Sequence, residues 1–209
     1  MTALLDPKPS KIVCVGVNYR AHATEMGKSP PDEPLIFLKA PSAIVGDGDA
    51  IRIPGGYERV DYEAELGVVI GRRATRVAAG DALDYVRGYT CVNDVTVRDL
   101  QKRDGQWTRA KGFDTFCPIG PRLVEGLDPS ALAIRSRLNG ETRQDSSTSD
   151  LIFDVPRLIE FISAVMTLET GDVISTGTPS GVGPMVPGDR IEVDIEGIGV
   201  LANVCVACD

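Results

Sequence analysis

Histidine is nearly missing from this chain of 209 residues: His22 is the only one. Positive charge is also short, with 22 Lys and Arg against 30 Asp and Glu and a net charge of −8. That balance argues against nucleic acid or an anionic membrane as partner. No apolar run approaches the roughly 18–20 residues of a membrane span. The segment from Met1 to Lys11 has no apolar core of the secretory kind, so no signal peptide and a cytoplasmic location are expected. Cysteines are few and odd in number: Cys14, Cys91, Cys117, Cys205 and Cys208. An odd count without a signal suggests reduced thiols. Cys205 and Cys208 form one C-x-x-C, read as packing or tail residues before zinc or redox work. The glycine-rich stretch Thr176 to Gly183 lacks the Gly-Lys-Ser/Thr ending, and no helical pattern follows it, which excludes a phosphate-binding P-loop. Repeats, linkers and low-complexity segments are absent.

What is present is ordinary globular composition, 43% hydrophobic and 25% charged, enough for one domain over residues 1–209. Short apolar strands are predicted over 11–17, 35–39, 60–70, 88–93, 172–175, 190–195 and 200–206. Residues 50–53 read as a hairpin element and 111–121 as a turn-rich connection. Ala133 to Leu138 alternates and meets Asn139-Gly140, a strong hairpin signal with 141–147 as the return strand. Helices are predicted over 18–26, from 80, over 97–104 and over 156–167. The last carries an apolar stripe at Leu158, Ile159, Ile162, Val165 and Met166. Many short strands with few helices give a mixed, β-rich α+β fold.

The most telling stretch is Val60-Asp-Tyr-Glu-Ala-Glu-Leu-Gly67. Alternation along a strand puts Asp61, Glu63 and Glu65 on one face. Neighbouring carboxylates on a buried strand repel, and burial raises their pKa values. A hard divalent cation with oxygen ligands would remove that cost. The other reading is a solvated edge strand with an acidic outer face. Asp94, at the end of an apolar strand, is well placed to complete a metal site with Glu63 and Glu65.

Glu25 follows His22 by three residues, so both share one helix face. A glutamate that orients an imidazole suits a general base, although such pairs also occur on plain surfaces. The flanking Gly16, Gly27 and proline-rich loop are compatible with a mobile lid. Lys111, near an acidic site, would offset its charge and stabilise an enolate; otherwise it is a solvated lysine. The glycine-rich turn presents backbone N–H groups and Thr178 to a carboxylate.

These segments together resemble the fumarylacetoacetate hydrolase family in its short form. The matching motifs are Val15-Gly-Val-Asn-Tyr-Arg-Ala-His22 with Glu25, Phe37-Leu-Lys39, Asp61 to Gly67, Gly88-Tyr89 through Asn93-Asp-Val-Thr-Val-Arg-Asp-Leu-Gln101, Trp107 to Lys111, Phe116 to Pro121, Asn139-Gly140 and Thr176 to Gly183. The resemblance implies a β-roll with short flanking helices and a homodimer. It implies Mg²⁺ or Mn²⁺ on Glu63, Glu65 and Asp94, a catalytic dyad of His22 and Glu25 on a lid, and Lys111 at the substrate's oxo group. Arg20, Gln101 and Thr178 are implied as substrate contacts. The activity expected first is hydrolytic C–C cleavage of acylpyruvates, small oxo-diacids from aromatic-compound breakdown. Isomerisation of a hydroxydienedioate, or decarboxylation of a tricarboxylate or oxaloacetate, is the alternative within the family. A catalytically silent metal-binding dimer is the alternative outside it.

Overall fold

The computed structural model describes residues 5–27 and 29–208; the first four residues of the N-terminal segment lie outside them. The strands in chain order are β1 (Ile12–Gly16), β2 (Leu35–Lys39), β3 (Ile44–Val45), β4 (Ala50–Ile53), β5 (Val60–Tyr62), β6 (Ala64–Ile70), β7 (Val86–Asn93), β8 (Thr96–Val97), β9 (Cys117–Val124), β10 (Ala133–Leu138), β11 (Glu141–Ser147), β12 (Val173–Ser175), β13 (Gly183–Pro184), β14 (Arg190–Ile195) and β15 (Gly199–Ala207). The α-helices are α1 (Arg20–Glu25), α2 (Arg98–Asp104), α3 (Thr108–Lys111) and α4 (Val155–Val165). The strands form a seven-stranded sheet in the order β2-β1-β12-β6-β7-β9-β3, a five-stranded sheet β11-β10-β14-β15-β4 and a three-stranded sheet β13-β5-β8. This is the β-rich α+β architecture expected, with short helices at its margins.

The core lies between the two larger sheets. Leu66 and Val68 of β6 meet Ile134 of β10, Val193 and Ile195 of β14 and Leu201 of β15 there. Strand β6 pairs on both edges, with β12 and β7, and is buried along its whole length because both its faces are covered: Leu66, Val68 and Ile70 lie in one apolar cluster and Val69 in another. Helix α4 closes one side with Leu158, Ile159 and Ile162. Its start is set by Asp154, whose side chain accepts the Arg157 N–H, and by a proline in the first turn. The helix is shorter than its apolar stripe: it ends at Val165, which is 59% exposed.

Four expectations change in the structure. The acidic stretch is two strands, not one, because the chain passes from the three-stranded to the seven-stranded sheet at Glu63. Residues 50–53 pair parallel with β15 and form no hairpin. Residues 117–124, masked by turn residues in sequence, form strand β9, antiparallel to β7 and parallel to β3. The helical turn near residue 80 is a 3₁₀ segment, Ala79–Tyr85. The Asn139-Gly140 hairpin is present, with both residues at positive φ, 53° and 83°, as its tight turn requires.

Gly67 sits where β6 crosses β7, two residues from Glu65. A Cβ there would lie 2.6 Å from Val92 Cγ2 and 3.0 Å from Thr90 Cγ2. Gly67→Ala is therefore expected to destabilise the fold by about 1–3 kcal/mol, the usual cost of overpacking. A urea midpoint equal to that of the unmodified chain would contradict this packing.

Candidate metal centre and active site

The register of β6 against β7 sets Ala64 opposite Asn93. Glu63 and Glu65 flank the first of these residues, and Asp94 follows the second. The turn is tied by backbone: Asp94 N–H donates to Glu63 O at 2.9 Å, and Asn93 Oδ1 accepts the Glu63 N–H at 3.0 Å. One oxygen from each of Glu63, Glu65 and Asp94 lies within 4.8 Å of the others, and all three residues are buried.

Cations from distant segments balance these acids. Lys39 Nζ, at the end of β2, donates to Asp94 Oδ1 at 2.5 Å and to Val95 O at 3.2 Å. Lys111 Nζ donates to Glu63 Oε2 at 2.7 Å and Asp94 Oδ2 at 2.5 Å. Arg98 Nη2 donates to Glu63 Oε1 at 2.6 Å, while its Nε donates to Asp61 Oδ2 at 2.8 Å. Asp61 is also held by Arg59, at 2.7 and 3.0 Å. Asp61 thus belongs to an arginine clamp beside the cluster.

The two glutamates titrate in opposite directions. Burial pushes the Glu63 carboxyl up, but Lys111 and Arg98 outweigh it and hold the group at about 2. The expectation that burial would raise the acids of this strand fails there, because the compensating cations are remote in sequence. Glu65 is pushed up to about 8 by burial and by the charges of Asp94 and Glu63. Ser175 Oγ and Gly177 N–H donate to its Oε2 at 2.5 and 2.9 Å without reversing that shift. Lys111 is held above its ordinary value: burial lowers it, and Asp94 and Glu63 more than restore it.

This donor set fits a divalent cation. Oxygens within 4.8 Å of one another match the span of an ion with metal–oxygen distances of about 2.4 Å, and an ion with shorter bonds would draw the carboxylates slightly together. An all-carboxylate set suits a hard ion, and the raised Glu65 marks a place where added positive charge is favourable. Lys111 shares Glu63 Oε2 and Asp94 Oδ2, so a cation would compete with it for the same oxygens.

The cluster opens into a cavity of about 530 Å³. Its walls include Glu63, Glu65, Lys111, His22, Glu25, Gln101, Thr178, Arg59, Arg98 and Lys102. An apolar side is made by Val15, Val17, Phe37, Trp107 and Val182. Phe37 and Trp107 pack edge to face with centroids 5.2 Å apart, and Lys111 Nζ lies 4.8 Å from the Phe37 ring centre.

Helix α1 stands over this cavity. His22 Nδ1 and Glu25 Oε2 are 3.0 Å apart. A carboxylate only accepts, so Nδ1 carries the hydrogen of this bond, and in the neutral imidazole that leaves the lone pair on Nε2. Glu25 Oε1 accepts the Gly181 N–H at 3.3 Å, which ties the helix to the glycine-rich loop. Gly181 is required at φ +92°, where a Cβ would lie 2.3 Å from Arg143 O.

The structure thus gathers eight of the nine sequence-derived candidates around one space: Glu63, Glu65, Asp94, Lys111, His22, Glu25, Gln101 and Thr178. Arg20 is set apart. It is exposed, donates to Leu151 O at 2.8 Å and lines a separate groove with Thr148 and Pro156. Lys39 and Arg98 lie within motifs that carry the family resemblance but, like Arg59, have no role assigned from sequence. Lys39 had one signal, a charge ending an apolar strand, and Arg98 had its spacing of three to Gln101, whose Oε1 it reaches at 2.8 Å. Of the cysteines, Cys205 is buried and Cys208 exposed, and no disulfide joins them.

The raised Glu65 has a consequence for pH. Without a cation, the folded chain binds this proton more tightly than the unfolded chain does. Its contribution to stability is present at low pH and is lost as pH rises from about 4.5 through about 8. Cation binding needs the ionised form, so affinity for Mn²⁺ should rise from pH 6 to about 8 and then level off. Glu65→Gln should bind more weakly and flatten the profile. Calorimetric titration at pH 6, 7, 8 and 9 tests this, and a flat profile for the unmodified chain would overturn it.

Comparison with known proteins agrees with this geometry. The oxaloacetate tautomerase YisK of Bacillus subtilis is 49% identical over 214 residues, covering 94% of this chain and 70% of that protein. The crystal structure of 5-carboxymethyl-2-hydroxymuconate delta-isomerase from Mycobacterium smegmatis superposes with a TM-score of 0.92 at 51% identity, covering 97% of this chain and 80% of the other. Maleylpyruvate hydrolase from Sphingobium sp. SYK-6, solved with manganese(II) and pyruvate, superposes with a TM-score of 0.85 at 39% identity, covering 97% and 72%. The family model for the C-terminal part of fumarylacetoacetate hydrolase matches residues 11–206. With the fold, the acidic cluster and these relatives in agreement, the chain belongs to the fumarylacetoacetate hydrolase family.

Proposed function

We propose that this chain is a divalent-metal-dependent enzyme that moves a proton on small 2-oxo acids, interconverting keto and enol forms or shifting a double bond. The observation that carries the reading is that the His22–Glu25 pair and the Glu63, Glu65 and Asp94 cluster open on one cavity. A bound Mg²⁺ or Mn²⁺ would polarise the substrate's oxo group as a Lewis acid. Glu63, Glu65 and Asp94 would hold it. His22 Nε2, oriented through Nδ1 by Glu25, would take the proton from the carbon beside the oxo group and return it elsewhere. The Lys111 ammonium would stabilise negative charge developing on the oxo oxygen. Gln101 and Thr178 would contact the substrate's oxygens. The apolar side with Phe37 and Trp107 would keep water from the reacting carbon.

This reading moves away from hydrolysis. The tautomerase and the delta-isomerase are about half identical to the chain, whereas the hydrolase is 39% identical. Proton transfer would also ask only for a base, the role proposed for His22. Hydrolysis of acylpyruvates is the second reading, favoured by the hydrolase relative. Decarboxylation of an oxo acid shares the same enolate. A silent metal-binding dimer leaves the joint presence of His22, Glu25 and Lys111 at one cavity without a purpose.

A homodimer in the cytoplasm is part of the proposal. Strand β2 is an edge of the seven-stranded sheet, and its Leu35 and Leu38 are 47% and 44% exposed, as a covered edge would be in an assembly. Sedimentation should give a species near twice 22.3 kDa at micromolar concentration, and a monomer would refute the dimer.

The function is tested with Mg²⁺ or Mn²⁺ on oxaloacetate enol, a hydroxydienedioate and an acylpyruvate side by side. Enol–keto conversion or double-bond migration should be fastest, and chelation should abolish it. His22→Ala should lower kcat about 10²–10⁴-fold with fold and metal binding intact, and Glu25→Gln should do less. Turnover confined to the acylpyruvate would establish hydrolysis, and no turnover of any of the three would leave a metal-binding protein.

A further inference from the structure

Gln144 lies on β11, in the sheet opposite the carboxylate cluster, and is fully buried. It does not line the cavity. Its side chain nevertheless touches both halves of the site. Oε1 accepts the N–H of Ala64, the residue between Glu63 and Glu65, at 3.1 Å. Nε2 donates to Pro179 O and to Thr178 Oγ1, each at 2.8 Å.

These partners leave the amide one orientation. A backbone N–H only donates and a carbonyl only accepts. Oε1 must therefore face Ala64 and Nε2 must face Pro179. Both Nε2 hydrogens are then committed, and Thr178 Oγ1 must accept one of them. A hydroxyl that accepts from a buried amide has its own proton free to donate. Among the described residues the Thr178 hydroxyl has no acceptor, and it lines the cavity.

We propose that Gln144 is a positioning residue that fixes Thr178 as a hydrogen-bond donor to an anionic substrate oxygen. The inference rests on the oxo-acid reading, since the donor needs a carboxylate or oxo group to meet. It gives the cavity a polarity: a substrate presenting oxygen acceptors beside Thr178 is bound, and one presenting a donor there is disfavoured. It also couples that donor to the acidic strand, because one amide holds Ala64 and Thr178 together.

Oxalate, a non-reacting dianion with two adjacent carboxylates, is the probe, and its Kd with Mg²⁺ present is read by calorimetry. Thr178→Val, which keeps the shape and removes the donor, should weaken binding about tenfold or more. Gln144→Glu should weaken it similarly, because the new carboxylate accepts the Thr178 proton and turns it from the cavity. The double variant should be no weaker than either single one, since both remove the same bond. Losses that multiply in the double variant would overturn the proposal, as would unchanged binding by Thr178→Val. Should Gln144→Glu fail to fold, Thr178→Ser decides: it restores the donor and should bind as the unmodified chain, and a loss equal to that of the valine variant would overturn the role. If the unmodified chain does not bind oxalate with Mg²⁺, the oxo-acid reading falls and takes this inference with it. Binding with uncoupled variants sinks the Gln144 role alone.

Discussion

The site depends on keeping three carboxylates together in a space from which water is largely excluded. Isolated buried charges are costly, and like charges side by side are worse. The chain meets this with Lys39, Lys111 and Arg98, each donating to Glu63 or Asp94. Glu65 receives no such cation; its partners are the Ser175 hydroxyl and the Gly177 N–H. The compensation is incomplete at Glu65, which leaves a place where added positive charge is favourable. Burial of such pairs is weak evidence for stability and better evidence for a site under functional constraint.

Around this cluster the fold supplies paired strands and one short helix. Glu65 and the Asn93–Asp94 turn sit on the two most deeply paired strands of the large sheet. The dyad sits on a six-residue helix whose hold on the opposite wall includes the bond from Gly181 N–H to Glu25. The helix is also anchored away from the cavity, where Ala21 N–H donates to Asp150 Oδ2 at 3.1 Å and Arg20 Nη1 donates to Leu151 O at 2.8 Å, while Glu65 is held on a strand paired on both sides. The glycine-rich loop joins the two: one end donates to Glu65 through Gly177, and the other to Glu25 through Gly181.

The choice between proton transfer and C–C hydrolysis turns on a small difference. Both need an oxo group polarised by a cation and a base beside it. Hydrolysis also needs a water held for attack. Under the proposed reading His22 would be that base and Glu63, Glu65 and Asp94 would hold the cation, and the tautomerase and delta-isomerase relatives stand nearer in identity than the maleylpyruvate hydrolase.

Much of this was legible in sequence. Alternation along Asp61 to Glu65 put three acids on one face, and a spacing of three joined His22 to Glu25. The Asn139-Gly140 turn fixed a hairpin because positive φ at two successive residues is a local demand. Strand β9 was hidden, because its pairing comes from β7 and β3 on either side and its own residues favour turns. Nor did local spacing show that Asp61 is clamped by Arg59 and Arg98, that Arg20 points elsewhere, or that Lys39 pairs with Asp94. Sequence by itself determined which side chains share a strand face or a helix turn, since these depend on backbone period alone. Only the tertiary structure decided which charges meet: Lys39 is 55 residues from Asp94, and Lys111 is 48 from Glu63. Coulombic energy follows distance in space, which the order of residues does not set.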